Sequence, residues 1–120
     1  MKLVILESPY AGDVEANTAY ARACVRDSLS RGEAPLASHL LYTQPGILRD
    51  DVPEERQRGI EAGLAWAGQA EATVVYTDRG ISKGMRYGIA NAETAGRPVD
   101  YRALQADATG RVFRNTTKDR

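Results

Sequence analysis

Apolar residues in this chain alternate between short solid runs and longer stretches that repeat with a helical period. Residues 3–6 (Leu-Val-Ile-Leu) form an uninterrupted apolar run, as do residues 73–77 (Thr-Val-Val-Tyr-Thr), which are also rich in β-branched side chains. Runs of this kind predict strands buried on both faces of a parallel sheet. Between them, Val14, Asn17, Ala21, Cys24, Val25 and Ser28 share one side of a predicted helix. Asp13 is placed to cap that helix and Gly32 to end it. Residues 34–37 (Ala-Pro-Leu-Ala) read as a short second strand, with its proline at a start or an edge. Pro53 suits the first turn of another helix, and Glu54 and Glu55 favour its N-terminus. Its apolar stripe is Ile60, Leu64 and Ala67, and Trp66 is expected to pack rather than to touch a ligand. Met85, Ile89, Ala92 and Ala95 recur at helical spacing, Gly96 closes that helix, and residues 97–101 predict a last strand.

Strand–helix alternation of this kind implies right-handed crossovers, a mostly parallel sheet and helices on both faces. Ligands in such folds bind beyond the carboxyl ends of the strands, near the point where strand order reverses. Three connections leave those ends, at residues 7–13, 38–53 and 78–84. They hold most of the unusual polar residues, which predicts one site built from all three. One domain is expected over residues 1–102. Residues 103–120 form an extension in which 110–114 are compatible with an edge strand and the remainder with a frayed tail.

At 120 residues the chain has room for a single core, and its apolar fraction of 42% is that of a globular domain. Sixteen basic residues balance sixteen acidic ones, so duplex nucleic acid is an unexpected partner. A single cysteine, Cys24, allows no internal disulfide, and a single histidine, His39, leaves no His/Cys metal cluster. No metal and no cofactor is expected. The run at residues 3–6 is far shorter than a signal-peptide core or a membrane span, so a cytoplasmic setting away from the membrane is expected.

The candidate chemistry lies in the three connections. A strand that feeds a Ser/Gly turn and then a helix aims N–H groups and the positive end of a dipole at one spot. Residues 73–85 therefore predict an anion site, with Ser82 as cap, phosphate ligand or both, and Gly84 beside it. In the first connection, Ser8 and the Gly12 backbone are positioned to approach a ligand, and Tyr10 to stack on a base or cover a sugar. The bland alternative is a Pro/Gly turn whose Asp13 merely caps a helix. Neither a GxGxxG fingerprint nor a Walker loop is present. Glu7, at the end of a central strand, is a candidate acid, base or nucleophile if it is partly desolvated. His39 is a candidate donor to a phosphate or a ribose hydroxyl, against the alternative of a structural histidine. Asp78 is a candidate to orient a ribose hydroxyl or to protonate a leaving base.

Four segments, Ser8-Pro9-Tyr10-Ala11-Gly12-Asp13, Ser38-His39-Leu40-Leu41, Pro53-Glu54-Glu55-Arg56 and Ile81-Ser82-Lys83-Gly84-Met85, together resemble small bacterial and phage domains of the nucleoside 2-deoxyribosyltransferase-like superfamily. The likeness runs from about residue 3 to 101. It implies a flavodoxin-like three-layer α/β sandwich with a four- or five-stranded, mainly parallel sheet. It also implies a site for a (deoxy)nucleoside or its 5′-monophosphate, to which the matching Ser82, Gly84 and Met85 contribute, and a homo-oligomer that completes its sites across subunits. The superfamily's enzymes cleave the base–sugar bond through a glutamate nucleophile and need no metal. That glutamate stands four residues past the turn glycine, and here Gly84 plus four is Gly88. The departure leaves three expectations. One is an N-glycosidase or deoxyribosyltransferase with a relocated carboxylate, Glu7, assisted by Asp78. Another is a non-catalytic nucleotide-binding or sequestering module. The third is a structural or interaction domain that keeps the fold only.

Overall fold

The computed structural model describes residues 1–104. Its elements are β1 (Lys2–Glu7), α1 (Val14–Ser30), β2 (Glu33–Leu36), α2 (Ser38–Leu41), α3 (Pro53–Ala67), β3 (Ala72–Tyr76), α4 (Lys83–Thr94) and β4 (Val99–Arg102). All strand pairs are parallel, and the order across the sheet is β2-β1-β3-β4. The chain is therefore α/β, with a four-stranded parallel sheet in a flavodoxin-like three-layer arrangement. The expected strand at residues 110–114 and the tail beyond it lie outside the described residues.

Period-two alternation along the central strands divides the core. Val4, Leu6, Val74 and Tyr76 point to one face, where they pack with Tyr20 and Cys24 of α1. Val75 points to the other and packs with Met85 and Ile89 of α4. The chain moves one way across the sheet from β1 to β2 and the other way from β2 to β3. Right-handed connections then set α1 on one face and α3 and α4 on the other. The reversal falls at β1 and β3, the two central strands, which makes the space beyond Glu7 the topological switch point.

Two helix boundaries follow the sequence closely. Asp13 Oδ1 accepts from the Ala16 N–H at 3.1 Å, and Ser82 Oγ accepts from the Met85 N–H at 3.2 Å. Elsewhere the structure departs from expectation. The long second connection contains a helical turn, α2, which seats against α3 because Gly63 has no side chain. A Cβ there would lie 2.6 Å from Ser38 Oγ. Trp66 is 54% exposed rather than packed, and its indole N–H donates to the Tyr42 hydroxyl at 3.0 Å. β4 starts two residues later than predicted because Arg97 is used as a tie. Its guanidinium donates to Thr73 Oγ1 on β3, to the Ala67 carbonyl at the end of α3 and to Asn91 Oδ1 on α4.

A second arginine closes the α1 face. Arg102 donates to both carboxyl oxygens of Glu33, at 2.9 and 3.1 Å, and also contacts Asp100 and the Tyr76 hydroxyl. Its side chain is 8% exposed and that of Glu33 11%. The arginine bonds hold the Glu33 carboxyl below the usual carboxylate range, more than offsetting its desolvation. Removing one partner of such a pair strands a charge, so Arg102→Met is expected to lower the unfolding free energy by roughly 3 kcal/mol at neutral pH. A carboxyl with a lowered folded pKa stabilises above its unfolded value and loses that contribution as pH falls through the folded one. The difference between wild type and variant in urea melts is therefore expected to shrink once pH drops below the ordinary glutamate value.

Candidate functional site

Beyond the carboxyl ends of β1 and β2 lies an open cleft of about 850 Å³, within the range of small-molecule sites. Tyr10, Gly12 and Val14 from the first connection form one side; Thr43, Ile47 and Arg49 from the second are on the other. The start of α3 contributes Glu55 and Arg56. Glu55 also pins the cleft wall, its Oε1 accepting from the Arg49 N–H at 2.7 Å. Of the predicted site residues, Tyr10 and Gly12 line this cleft; Glu7, Ser8, His39 and Asp78 are not among its lining residues.

Ser8 and His39 stand at the ends of neighbouring strands and meet directly, with Ser8 Oγ and His39 Nε2 2.7 Å apart. Burial drives the imidazole down to about 4, so the ring is neutral at pH 7 and the bond joins two uncharged groups. Which of the two donates depends on the tautomer. Ser8 is 4% exposed, and the pair locks the first connection to α2.

The third connection behaves differently from the prediction. Ser82, Gly84 and Met85 do not line the cleft. The Ser82 hydroxyl caps α4, and its own N–H donates to Met85 Sδ at 3.3 Å. Met85 is a core residue, 1% exposed and packed with Val75 and Ile89; an unbranched apolar side chain on the inner stripe of a helix fills space before it meets a ligand. Gly84 lies on the exposed outer turn. Asp78 is committed elsewhere. Its Oδ1 accepts from the Tyr20 hydroxyl at 2.7 Å, and both its oxygens accept from the Leu104 N–H. Its carboxylate anchors α1 and the second residue after β4 to the end of β3.

The link between the first and third connections comes from a residue whose role was not foreseen. Asn17 Nδ2 donates to the Tyr10 and Ala11 carbonyls, and its Oδ1 accepts from Arg79 Nε at 2.8 Å. An asparagine on the apolar side of a predicted helix was the available signal, since a buried amide must find partners.

Glu7 is the most unusual group. It ends β1 opposite Val75, on the face covered by α4. Among the described residues its carboxyl makes no hydrogen bond and no ion pair. Since every fully buried side-chain oxygen among them is partnered, the Glu7 oxygens retain some contact with solvent. A Cβ built on Gly88 would lie 2.1 Å from Glu7 Oε2 and 2.6 Å from Cδ. The carboxyl of a strand residue thus occupies the space that a side chain on α4 would take. Desolvation pushes this carboxyl up to about 8, with Arg97 acting in the opposite direction.

Among the described residues, no group of three or more His, Cys, Asp or Glu side chains is arranged to hold a metal ion. No helix among them is long and apolar enough to cross a membrane.

Sheet order and strand-end chemistry define the class: a parallel α/β domain with a desolvated carboxyl, that of Glu7, at its switch point. The chain belongs to the family described as a domain of unknown function (DUF7768), which matches residues 2–102. None of the curated proteins matches it.

The raised pKa has a consequence for stability. An acid whose folded value lies above its unfolded one favours the folded state only while protonated. Between pH 4.5 and about 8 the ionising unfolded chain gains on the folded one, by at most about 1.4 kcal/mol per pH unit. Glu7→Gln, neutral and of the same shape, removes this loss. Its melting temperature is expected to rise above that of wild type increasingly from the acid end of this window to the alkaline end, then to keep a constant lead. Parallel curves would contradict the burial of this carboxyl.

Proposed function

We infer that this domain binds a nucleoside or nucleotide at the carboxyl ends of β1 and β2 and hydrolyses its N-glycosidic bond, with Glu7 as the acid. The observation that carries this reading is the Glu7 carboxyl, without a partner among the described residues, seated against Gly88 at the switch point of the sheet. The resemblance to nucleoside 2-deoxyribosyltransferase-like domains leads to the same bond. It implies a glutamate on the helix, and the relocated carboxyl stands beside that helix position.

The chemistry differs from the nucleophilic route of that superfamily. A nucleophile must be ionised, whereas a carboxyl at about 8 is mostly protonated at pH 7. A neutral carboxylic acid next to a leaving base is a proton donor. Glu7 gives its proton to a nitrogen of the base as the C1′–N bond breaks and the bonding electrons leave with the base. Water adds to C1′, and its surplus proton returns to the Glu7 carboxylate. The products are free base and the sugar or sugar phosphate, and the acid is regenerated. In this reading Tyr10 covers the ligand, the neutral Ser8–His39 pair fixes the connection that carries it, and Arg49 and Arg56, paired in the free protein with Asp51 and Asp50, turn to a phosphate only by giving up those carboxylates. The setting is cytoplasmic and the assembly a homo-oligomer. The commitment of Asp78 to Tyr20 and Leu104 favours a second reading, a binding module without turnover.

Incubation with deoxynucleosides and their 5′-monophosphates, followed by chromatography, is expected to release free base. Glu7→Gln should reduce release about a hundredfold or more, and wild-type rates should fall as pH rises through about 8. A ligand at a hundred times its Kd should stabilise the fold by about 2.7 kcal/mol. Stabilisation without base release selects the binding module. Release unaffected by Glu7→Gln removes Glu7 from the reaction.

A further inference from the structure

We propose that Gly88 is the positioning residue for Glu7: the absent side chain at 88 is the seat that holds the Glu7 carboxyl at the end of β1. Its importance for turnover rests on the function proposed above, whereas the seat itself is a matter of geometry.

Nothing in the backbone at residue 88 calls for glycine. It lies inside α4, and it is not among the residues with positive φ. There glycine weakens the helix relative to alanine, because it adds freedom to the unfolded chain and contributes no packing. The reason for it is steric. The nearest atoms to a Cβ at 88 all belong to one group, with Oε2 at 2.1 Å, Cδ at 2.6 Å and Oε1 at 3.1 Å. Even a methyl group at 88 overlaps the carboxyl carbon, so a small adjustment does not accommodate both. The far end of Glu7 has to move.

The surroundings explain why the seat matters. Val75, the register partner of Glu7 on β3, packs with Met85 and Ile89 on this face. Arg97 is the cation that acts on it, and that guanidinium is already divided among Thr73, Ala67 and Asn91. In the seat the carboxyl is desolvated and, among the described residues, has no ion-pair partner, the condition that keeps an acid protonated at neutral pH. Expelled from the seat, the same side chain becomes an ordinary hydrated carboxylate.

The test is a titration of the Glu7 side-chain carbon by NMR in the full chain, wild type against Gly88→Ala, with base release from deoxynucleoside 5′-monophosphates measured in parallel. In wild type the Glu7 resonance is expected to titrate near 8, and in Gly88→Ala several units lower, close to the ordinary glutamate value. Base release should drop at least tenfold in Gly88→Ala and no further in Glu7→Ala/Gly88→Ala. An unchanged Glu7 titration in a folded Gly88→Ala protein overturns the proposal. If Gly88→Ala does not fold, the double variant lacking the carboxyl must fold, and its failure to do so overturns the proposal equally. A shifted titration in a protein whose wild type releases no base keeps the seat and removes the glycosidase reading. Wild-type base release that survives Gly88→Ala undiminished keeps that reading and removes Gly88 from it.

Discussion

The close approach of Glu7 to Gly88 is the contact on which the character of the strand ends depends. Parallel pairing of β1 with β3 brings the end of β1 under α4, and a glycine at the crossing lets a polar side chain enter where an apolar one would ordinarily complete the layer. A carboxyl in that position works against folding at neutral pH, since a buried acid without a partner either loses hydration or keeps its proton. Replacement by a neutral residue would relieve this strain, and a glycine in a helix interior adds a further loss. Two unfavourable choices that fit each other sterically form one arrangement. Carboxyls displaced in this way are enriched at functional sites.

Around that point the molecule is tied with polar contacts of ordinary strength. Arg97 joins the end of α3, β3 and α4 on the Glu7 face. Arg102 joins β4, β2 and Tyr76 on the other. Asn17 fixes the first connection to Arg79 of the third, and Ser8 fixes it to His39 of the second. Each of the three strand-end connections is held to another by a side-chain bond, so the cleft walls are preorganised by groups that do not themselves face its interior. Such support limits the reorganisation needed on binding.

Much of this arrangement was legible in the chain. Solid apolar runs at residues 3–6 and 73–77 marked the two central strands, because only strands covered on both faces tolerate such runs. Asp13 and Ser82 marked helix starts through capping chemistry that needs nothing beyond local sequence. α2 was not legible: it has four residues, no side-chain cap, and a place set by the gap at Gly63. Trp66 misled because composition ranks tryptophan as buried, while the position of α3 leaves this one half in solvent. The site was legible in part. Residue type and strand-end position were enough to single out Glu7, Ser8, Tyr10 and His39. They could not show that Asp78 is consumed by Tyr20 and Leu104, or that Met85 completes a core. Those outcomes depend on Tyr20 and Leu104, 58 and 26 residues from Asp78, and on how α4 packs against β3.

Placing the carboxyl on a strand rather than on α4 also changes the reaction open to it. Glu7 lies beneath α4, between that helix and the sheet, where ionisation is opposed by desolvation and, among the described residues, helped by an arginine with three other partners. Attack on an anomeric carbon requires an exposed lone pair, whereas donation to a departing base requires a retained proton. The observed environment satisfies the second requirement and opposes the first. In the reaction proposed above, the same side chain moved from helix to strand serves as an acid rather than as a nucleophile. On that proposal the absence of a glutamate at 88 is a different division of labour between strand and helix.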